Sequence, residues 1–212
     1  MARISKGILG GFSGTVGPVV GSSWKGIAVM KSRPVYKRVV IATPDQLNQR
    51  GLFGTLSQLV IRLSSIVNIG FRAQANEMTM LNAAFIANYG RAVSGTYPSY
   101  TIDYDRLTLA KGGLIGVDNA TCSDNGSGGC DVSWQDNTGQ SGALADDEVN
   151  VAIINKNKET CIQGVAARRD SSLVVTYPSS WSGDTAYVYY FTKVHGGDKC
   201  SNSEYLGQVI CS

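Results

Sequence analysis

Histidine is almost absent from this chain: His195 is the only one in 212 residues. A Ser/His/Asp triad or an imidazole-based metal site would have to be built on that one ring, which lies against Gly196-Gly197 in a predicted turn. There is no G-x-S-x-G, no H-E-x-x-H and no paired C-x-x-C. His195 therefore reads as an exposed turn residue, and neither an enzyme nor a cofactor is expected. Charged residues make up 17% of the chain, below the quarter usual for globular domains, and proline is scarce. No acidic residue precedes Asp45, and no cysteine precedes Cys122. No apolar run of 18 residues occurs, since the best stretch, 56–71, carries Arg62 and several hydroxyls; no membrane span is expected. Met1–Lys6 has the charge of a signal-peptide start, but Gly7, Gly10, Gly11, Gly14 and Gly17 interrupt any apolar segment behind it. Cytoplasmic synthesis without a signal peptide is the expectation, with a virion or the cell exterior as the final location.

The charge that is present is divided unevenly. Residues 1–111 carry a net +9 and residues 112–212 a net −6. Three readings fit: two domains that simply differ, nucleic-acid contact through a basic arm, or head-to-tail association of the basic end of one copy with the acidic end of the next. The five cysteines, Cys122, Cys130, Cys161, Cys200 and Cys211, all lie in the acidic half. An odd count without a signal peptide argues against a secreted disulfide framework. Cys122 and Cys130 flank a Gly/Ser-rich loop and would pair in an oxidising place; free thiols, with Cys130 a small core residue, are the preferred reading.

Along the chain, 15–20 and 26–30 read as strands flanking a Gly21-Ser22-Ser23 hairpin turn, followed after Pro34 by an extended basic and apolar arm over 35–42. Thr43, Pro44 and Gln46 make a capping box. Leu52, Leu56, Leu59, Leu63 and Ile66 then recur at helical spacing up to a stop at Gly70. A second helix is predicted from an Asn76 cap to Tyr89, closed by Gly90, and one strand within 101–109. From residue 114 the pattern becomes all-β. Predicted strands at 114–121, 130–136, 148–155, 159–166, 172–177, 185–194 and 204–211 are separated by Gly, Asn, Asp and Ser clusters. The fold class expected is α+β: an N-terminal module of hairpin, arm and two helices (1–113), then an immunoglobulin- or fibronectin-like β-sandwich (114–212).

Two clusters invite chemistry and are read otherwise. The glycines of Gly10–Gly17 resemble a phosphate loop, but the G-K-[ST] ending is missing and no helix begins there; close-packed backbone is preferred. Asp146, Asp147 and Glu148 would suit Ca²⁺ if other loops supplied oxygens, but a solvated strand start is preferred. The candidate site is instead a partner-binding surface of Trp24, Lys31, Arg33, Lys37, Arg38, Val39 and Ile41. Interleaved aromatic and basic residues can grip single-stranded nucleic acid. The apolar content of the arm favours protein contact, by lying across a neighbour and completing its sheet.

The segment Gly11–Gly26 reads G-x-x-G-x-V-G-x-V-V-x-x-x-W-K-G, and Arg33-Pro34 follows it. Thr43–Arg50 reads T-x-x-Q-L-x-x-R, and Ser201–Gly207 reads S-x-S-x-Y-L-G. In these stretches the chain resembles an uncharacterised family of bacterial and phage-encoded proteins, a likeness that spans nearly its whole length and implies no known activity. The function expected is a non-enzymatic structural subunit, of a phage particle or an extracellular filament. Its partners would be copies of itself and other structural chains. The alternative is a nucleic-acid-binding or packaging protein. If the charge division steers association, the rate of assembly falls steeply with added salt while finished assemblies survive it, because exposed charges are screened over about 8 Å at physiological ionic strength. Light scattering across a salt series checks this, and an assembly rate indifferent to salt removes the charge division from the mechanism.

Overall fold

The computed structural model describes residues 3–4, 10–24, 26–35, 41–75 and 78–212. It is an α+β structure with more strand than helix and several antiparallel sheets. The chain groups into two units, Met1–Ala42 and Thr43–Ser212.

The first unit is a meander of β1 (Arg3–Ile4), β2 (Phe12–Val16), β3 (Val19–Trp24) and β4 (Ile27–Ser32), paired in chain order. The turn expected at Gly21-Ser22-Ser23 is not there: these residues are the middle of β3. The chain reverses instead between Val16 and Val19 and between Trp24 and Ile27, each a two-residue connection. Gly26, at φ +82°, supplies the left-handed backbone that such a tight hairpin needs. Gly21 serves a different purpose. A Cβ there would meet the Phe12 ring at 2.6 Å, so its bare backbone lets Phe12 lie across the strand. The close-packed reading of Gly10–Gly17 fits Gly11, where a Cβ would run into that of Ala28, but not Gly17, which has nothing within 4 Å.

The second unit opens with α1 (Pro44–Arg62) on the capping box expected for it. The Gln46 amide donates to the Thr43 hydroxyl at 3.3 Å, and the Thr43 amide donates to the Gln46 side chain at 3.2 Å. The single helix expected to run to Gly70 is broken at Leu63. A second segment, α2 (Ser64–Gly70), leaves at 83°. The bend brings Leu56, Leu59, Val60, Leu63, Ile66 and Val67 into one core. Gly70 is more than a stop. A Cβ there would stand 2.6 Å from that of Ala110, and its carbonyl accepts from the Lys111 amide at 3.1 Å and the Cys200 thiol at 3.0 Å. The third helix, α3 (Met80–Asn88), begins later than expected, capped by Thr79, whose hydroxyl accepts from the Asn82 amide at 3.2 Å; Asn76 lies outside the described residues. Gly90 follows at φ +73°, in the conformation of a C-terminal cap. The strand expected at 101–109 is a hairpin, β5 (Val93–Thr96) and β6 (Ser99–Ile102), followed by a 3₁₀ turn at Tyr104–Arg106.

Seven strands follow, close to the expected positions: β7 (Asp118–Asp124), β8 (Gly129–Gln135), β9 (Glu148–Asn155), β10 (Thr160–Ala167), β11 (Ser172–Thr176), β12 (Thr185–Lys193) and β13 (Glu204–Ile210). They form two sheets, β10-β9-β12-β13 and β11-β8-β7. Val149, Val151, Ile153, Ala186, Val188 and Tyr190 of the first sheet share a core with Cys130, Val132, Trp134 and Val175 of the second. The alternate residues of the same strands, Ala152, Ile154, Tyr189 and Phe191, share another core with the helices. The four-stranded sheet is thus buried on both faces, with helices on one side and the three-stranded sheet on the other.

Of the helical stripe, Leu56, Leu59 and Leu63 are buried in the chain's own core, and Leu52 packs against it. Grouped by contacts, the chain divides at Ala42/Thr43, and the helices and the inner sheet of the second unit share one core. Among the described residues no single helix is long and apolar enough to cross a membrane. The bent pair of α1 and α2 would pass by length and composition alone, but most of its apolar surface is already buried.

One polar cluster fixes the end of the inner sheet. Arg168, just past β10, is fully buried, as is Asp147, just before β9. The guanidinium donates to Asp147 at 3.2 Å, to the carbonyls of Ile115 at 3.0 Å and Gly116 at 2.8 Å, and to the Asn137 side chain at 2.5 Å. The Arg168 carbonyl accepts the Trp134 indole N–H at 2.8 Å, and Asp147 also accepts from the Leu144 amide at 2.9 Å. Removing one member of such a pair leaves the other charged and uncompensated, at a cost of about 3–5 kcal/mol. Arg168→Met is expected to destabilise by that amount in urea unfolding, and Asp147→Leu added to it to recover much of the loss. A loss below about 1 kcal/mol for the single variant would show that the pair is not desolvated as described.

Candidate functional site

A sheet one layer thick can shelter side chains only if something covers its faces. In an antiparallel pair, directly opposed residues project to the same side, so the register of β2, β3 and β4 assigns their faces. One face carries Val20, Ser22, Trp24, Ile27, Val29 and Lys31; the other carries Val16, Val19, Gly21, Ala28 and Met30. Both are apolar, and among the described residues of this unit only Gly21 is buried. Every residue of β4 is exposed. Trp24 is 64% exposed, Met30 72% and Ile41, beyond the sheet, 87%. A globular chain exposes single apolar side chains routinely; two faces of one small sheet exposing Val16, Trp24, Ile27, Val29 and Met30 together is the pattern of an interaction surface.

The expected site residues fall here unevenly. Trp24 and Lys31 share a face, and Arg33 follows β4 with its amide donating to the Pro18 carbonyl at 2.6 Å. Lys31 and Arg33 are exposed. Lys37, Arg38 and Val39 lie outside the described residues, so the arm is represented by Val35 and Ile41, both exposed. Sequence reasoning missed Met30, Val29 and Ile27 as members of the surface; the register of β3 and β4 places them there.

The other candidate chemistry resolves into ion pairs. His195 is exposed, and its Nδ1 lies 3.2 Å from Glu148, which also receives Lys193 at 2.9 Å. The three acids read as a solvated strand start part company. Asp147 is buried against Arg168, Asp146 pairs with Arg169, and Glu148 pairs with Lys193 and His195. None is left as an unpaired docking charge, and among the described residues no three of His, Cys, Asp and Glu gather as a metal would require. A second apolar feature lies in the other unit. A groove of about 400 Å³ runs between α1 and α3, lined by Phe53, Val60, Ile61, Met78, Phe85 and Ile86. Phe53 and Phe85 meet there at 4.9 Å between ring centroids.

The motif residues are positioned by backbone needs. Ser203 accepts from the Leu109 amide at 2.8 Å, and Ser201 accepts from the Thr192 amide at 2.9 Å, so the segment ahead of β13 holds residues 109–114 against the inner sheet. Tyr205 packs on Tyr189 with centroids 5.4 Å apart. A family model described as a family of unknown function (DUF6266) matches residues 11–207. No curated protein matches the chain.

Proposed function

The chain belongs to this family of unknown function, and we propose that it is a non-enzymatic structural subunit that assembles with copies of itself, as a component of a phage particle or of an extracellular filament. The observation that carries the reading is the apolar character of both faces of the N-terminal sheet. Two such faces fit a sheet held inside an assembly, with a neighbouring chain against each side, or edge to edge with a neighbour's sheet. A heterologous contact of this kind generates rings or filaments, which suits a building unit. The remaining 170 residues would then be the displayed body of the subunit.

For that body we propose an immunoglobulin-like sandwich of fibronectin type. Labelling its seven strands A to G in chain order, one sheet reads E-B-A and the other D-C-F-G. This is the immunoglobulin arrangement with the fourth strand moved to the opposite sheet. One departure is that the buried tryptophan, Trp134, lies on the second strand rather than the third. A second reading rests on the exposed cations Lys31 and Arg33, on or just past the strand paired with the one that carries Trp24, which would suit a nucleic-acid contact.

A truncated chain, residues 43–212, is expected to remain folded and monomeric in sedimentation, with full-length protein forming large homopolymers visible by electron microscopy. A truncated protein that still assembles like the full chain would refute the reading. Full-length protein that stays monomeric but binds oligonucleotides with a steep salt dependence would favour the second one.

A further inference from the structure

We propose that Cys122 and Cys130 are a reversible dithiol pair, in which Cys122 attacks a small-molecule disulfide and Cys130 resolves the product into an intrachain disulfide that joins β7 to β8.

The placement comes from the strand register. Cys122 opposes Val132 and Asp124 opposes Cys130, so the two cysteines are diagonal neighbours on the same face of the β7–β8 hairpin. The Cys130 sulfur lies 3.9 Å from the Asp131 carbonyl, and the two thiols are near enough that each shifts the titration of the other. Cys130 is fully buried between the two sheets, whereas Cys122 is half-buried at the margin of that core, so only Cys122 is open to a reagent. Facing it on β13 is Gly207, where a Cβ would stand 3.9 Å from the Cys122 sulfur. Tyr177 is buried beside Cys130, and its hydroxyl has no hydrogen-bond partner.

These contacts set an order of events. The neighbouring Cys130 thiol lowers the pKa of Cys122, which favours its thiolate. The Cys130 thiol is pushed strongly upward, first by the Cys122 side chain, then by burial and by the nearby Cys122 charge. Cys122 is therefore the attacking sulfur. Its thiolate displaces one half of the small disulfide: a sulfur–sulfur bond forms at Cys122, the reagent's own bond breaks, and a thiolate leaves and takes up a proton. Capping Cys122 removes its charge, one of the causes that hold the Cys130 proton in place. Cys130 then gives up that proton, attacks the Cys122 sulfur and expels the second thiol. Two cysteine thiols are oxidised by two electrons, and one reagent disulfide is reduced to two thiols.

The test uses the full chain, reduced, and glutathione disulfide as the probe, with acid quenching, alkylation and peptide mapping by mass spectrometry. Native protein is expected to lose two of its five thiols as one Cys122–Cys130 linked peptide, and to recover them with dithiothreitol. Cys130→Ala is expected to trap glutathione on Cys122, and Cys122→Ser to leave Cys130 unmodified. Loss of no thiol in native protein overturns the proposal. So does a link from Cys122 to Cys211, or modification of Cys130 in Cys122→Ser. Mapping the native protein needs no variant, so a variant that fails to fold does not rescue the idea.

Discussion

The structure depends on one sheet having two hydrophobic faces. Strands β9 and β12 lie at the centre of the four-stranded sheet, and their successive residues serve different cores. Val151 and Ile153 turn toward the three-stranded sheet, and Ala152 and Ile154 toward the helices. Strands buried on both sides are usual where helices cover a parallel sheet and less so in an antiparallel one, where one face commonly meets water. Here the helices α1, α2 and α3 take the face that water would otherwise have. That single fact makes residues 43–212 one cooperative body and uses up the helical stripe that would otherwise be free for a partner.

The buried ion pair completes the same constraint at one end of the sheet. Asp147 precedes β9 and Arg168 follows β10, so their contact closes the mouth of that hairpin, while the guanidinium gives the carbonyls of Ile115 and Gly116 a second donor beside Thr192 and Asn137. A hydrophobic pair could fill the space with equal or greater stability, but it would take one donor from each of those carbonyls. The tyrosines act similarly on the helical side. Tyr189 is fully buried and donates to the Tyr104 carbonyl, and Tyr187 stacks on the Tyr104 ring at 4.4 Å, so the segment joining the helices to the sheet is held by side chains of the sheet itself.

Much of this was legible in the residues. The turn clusters of Gly, Asn, Asp and Ser place the seven strands within a few residues, and the Thr43–Gln46 capping box places the start of α1. What escaped has physical reasons. The second buried face of β9 is hidden because Asn150, which is buried and hydrogen-bonded, looks like a solvent-facing residue. Asp147 read as part of a solvated strand start, since nothing local marks its pairing with Arg168, 21 residues on, as desolvated. The bend at Leu63 breaks a continuous helical pattern for the sake of tertiary packing. Gly21-Ser22-Ser23 has turn chemistry, but Gly26 with its positive φ makes the reversal between β3 and β4. In the candidate site, Trp24, Lys31 and Arg33 were legible as exposed, whereas Met30 and Ile27 emerged only once that register was known.

Against the double-sided burial of the inner sheet, the N-terminal meander stands out by having, among its described residues, no buried side chain. Its strands are well paired but one layer thick, and paired strands without a covered face are marginal in water. Amide hydrogen exchange of β4, compared between dilute monomer and concentrated assembly, tests the claim that this sheet is completed by other chains. In the monomer the amides of Ile27–Ser32 are expected to exchange rapidly while those of Val149–Ile154 are strongly protected. In the assembly the β4 amides should slow by about a hundredfold or more, as for groups released only by larger opening. Strong protection of β4 in the dilute monomer, or no change on assembly, would contradict the account.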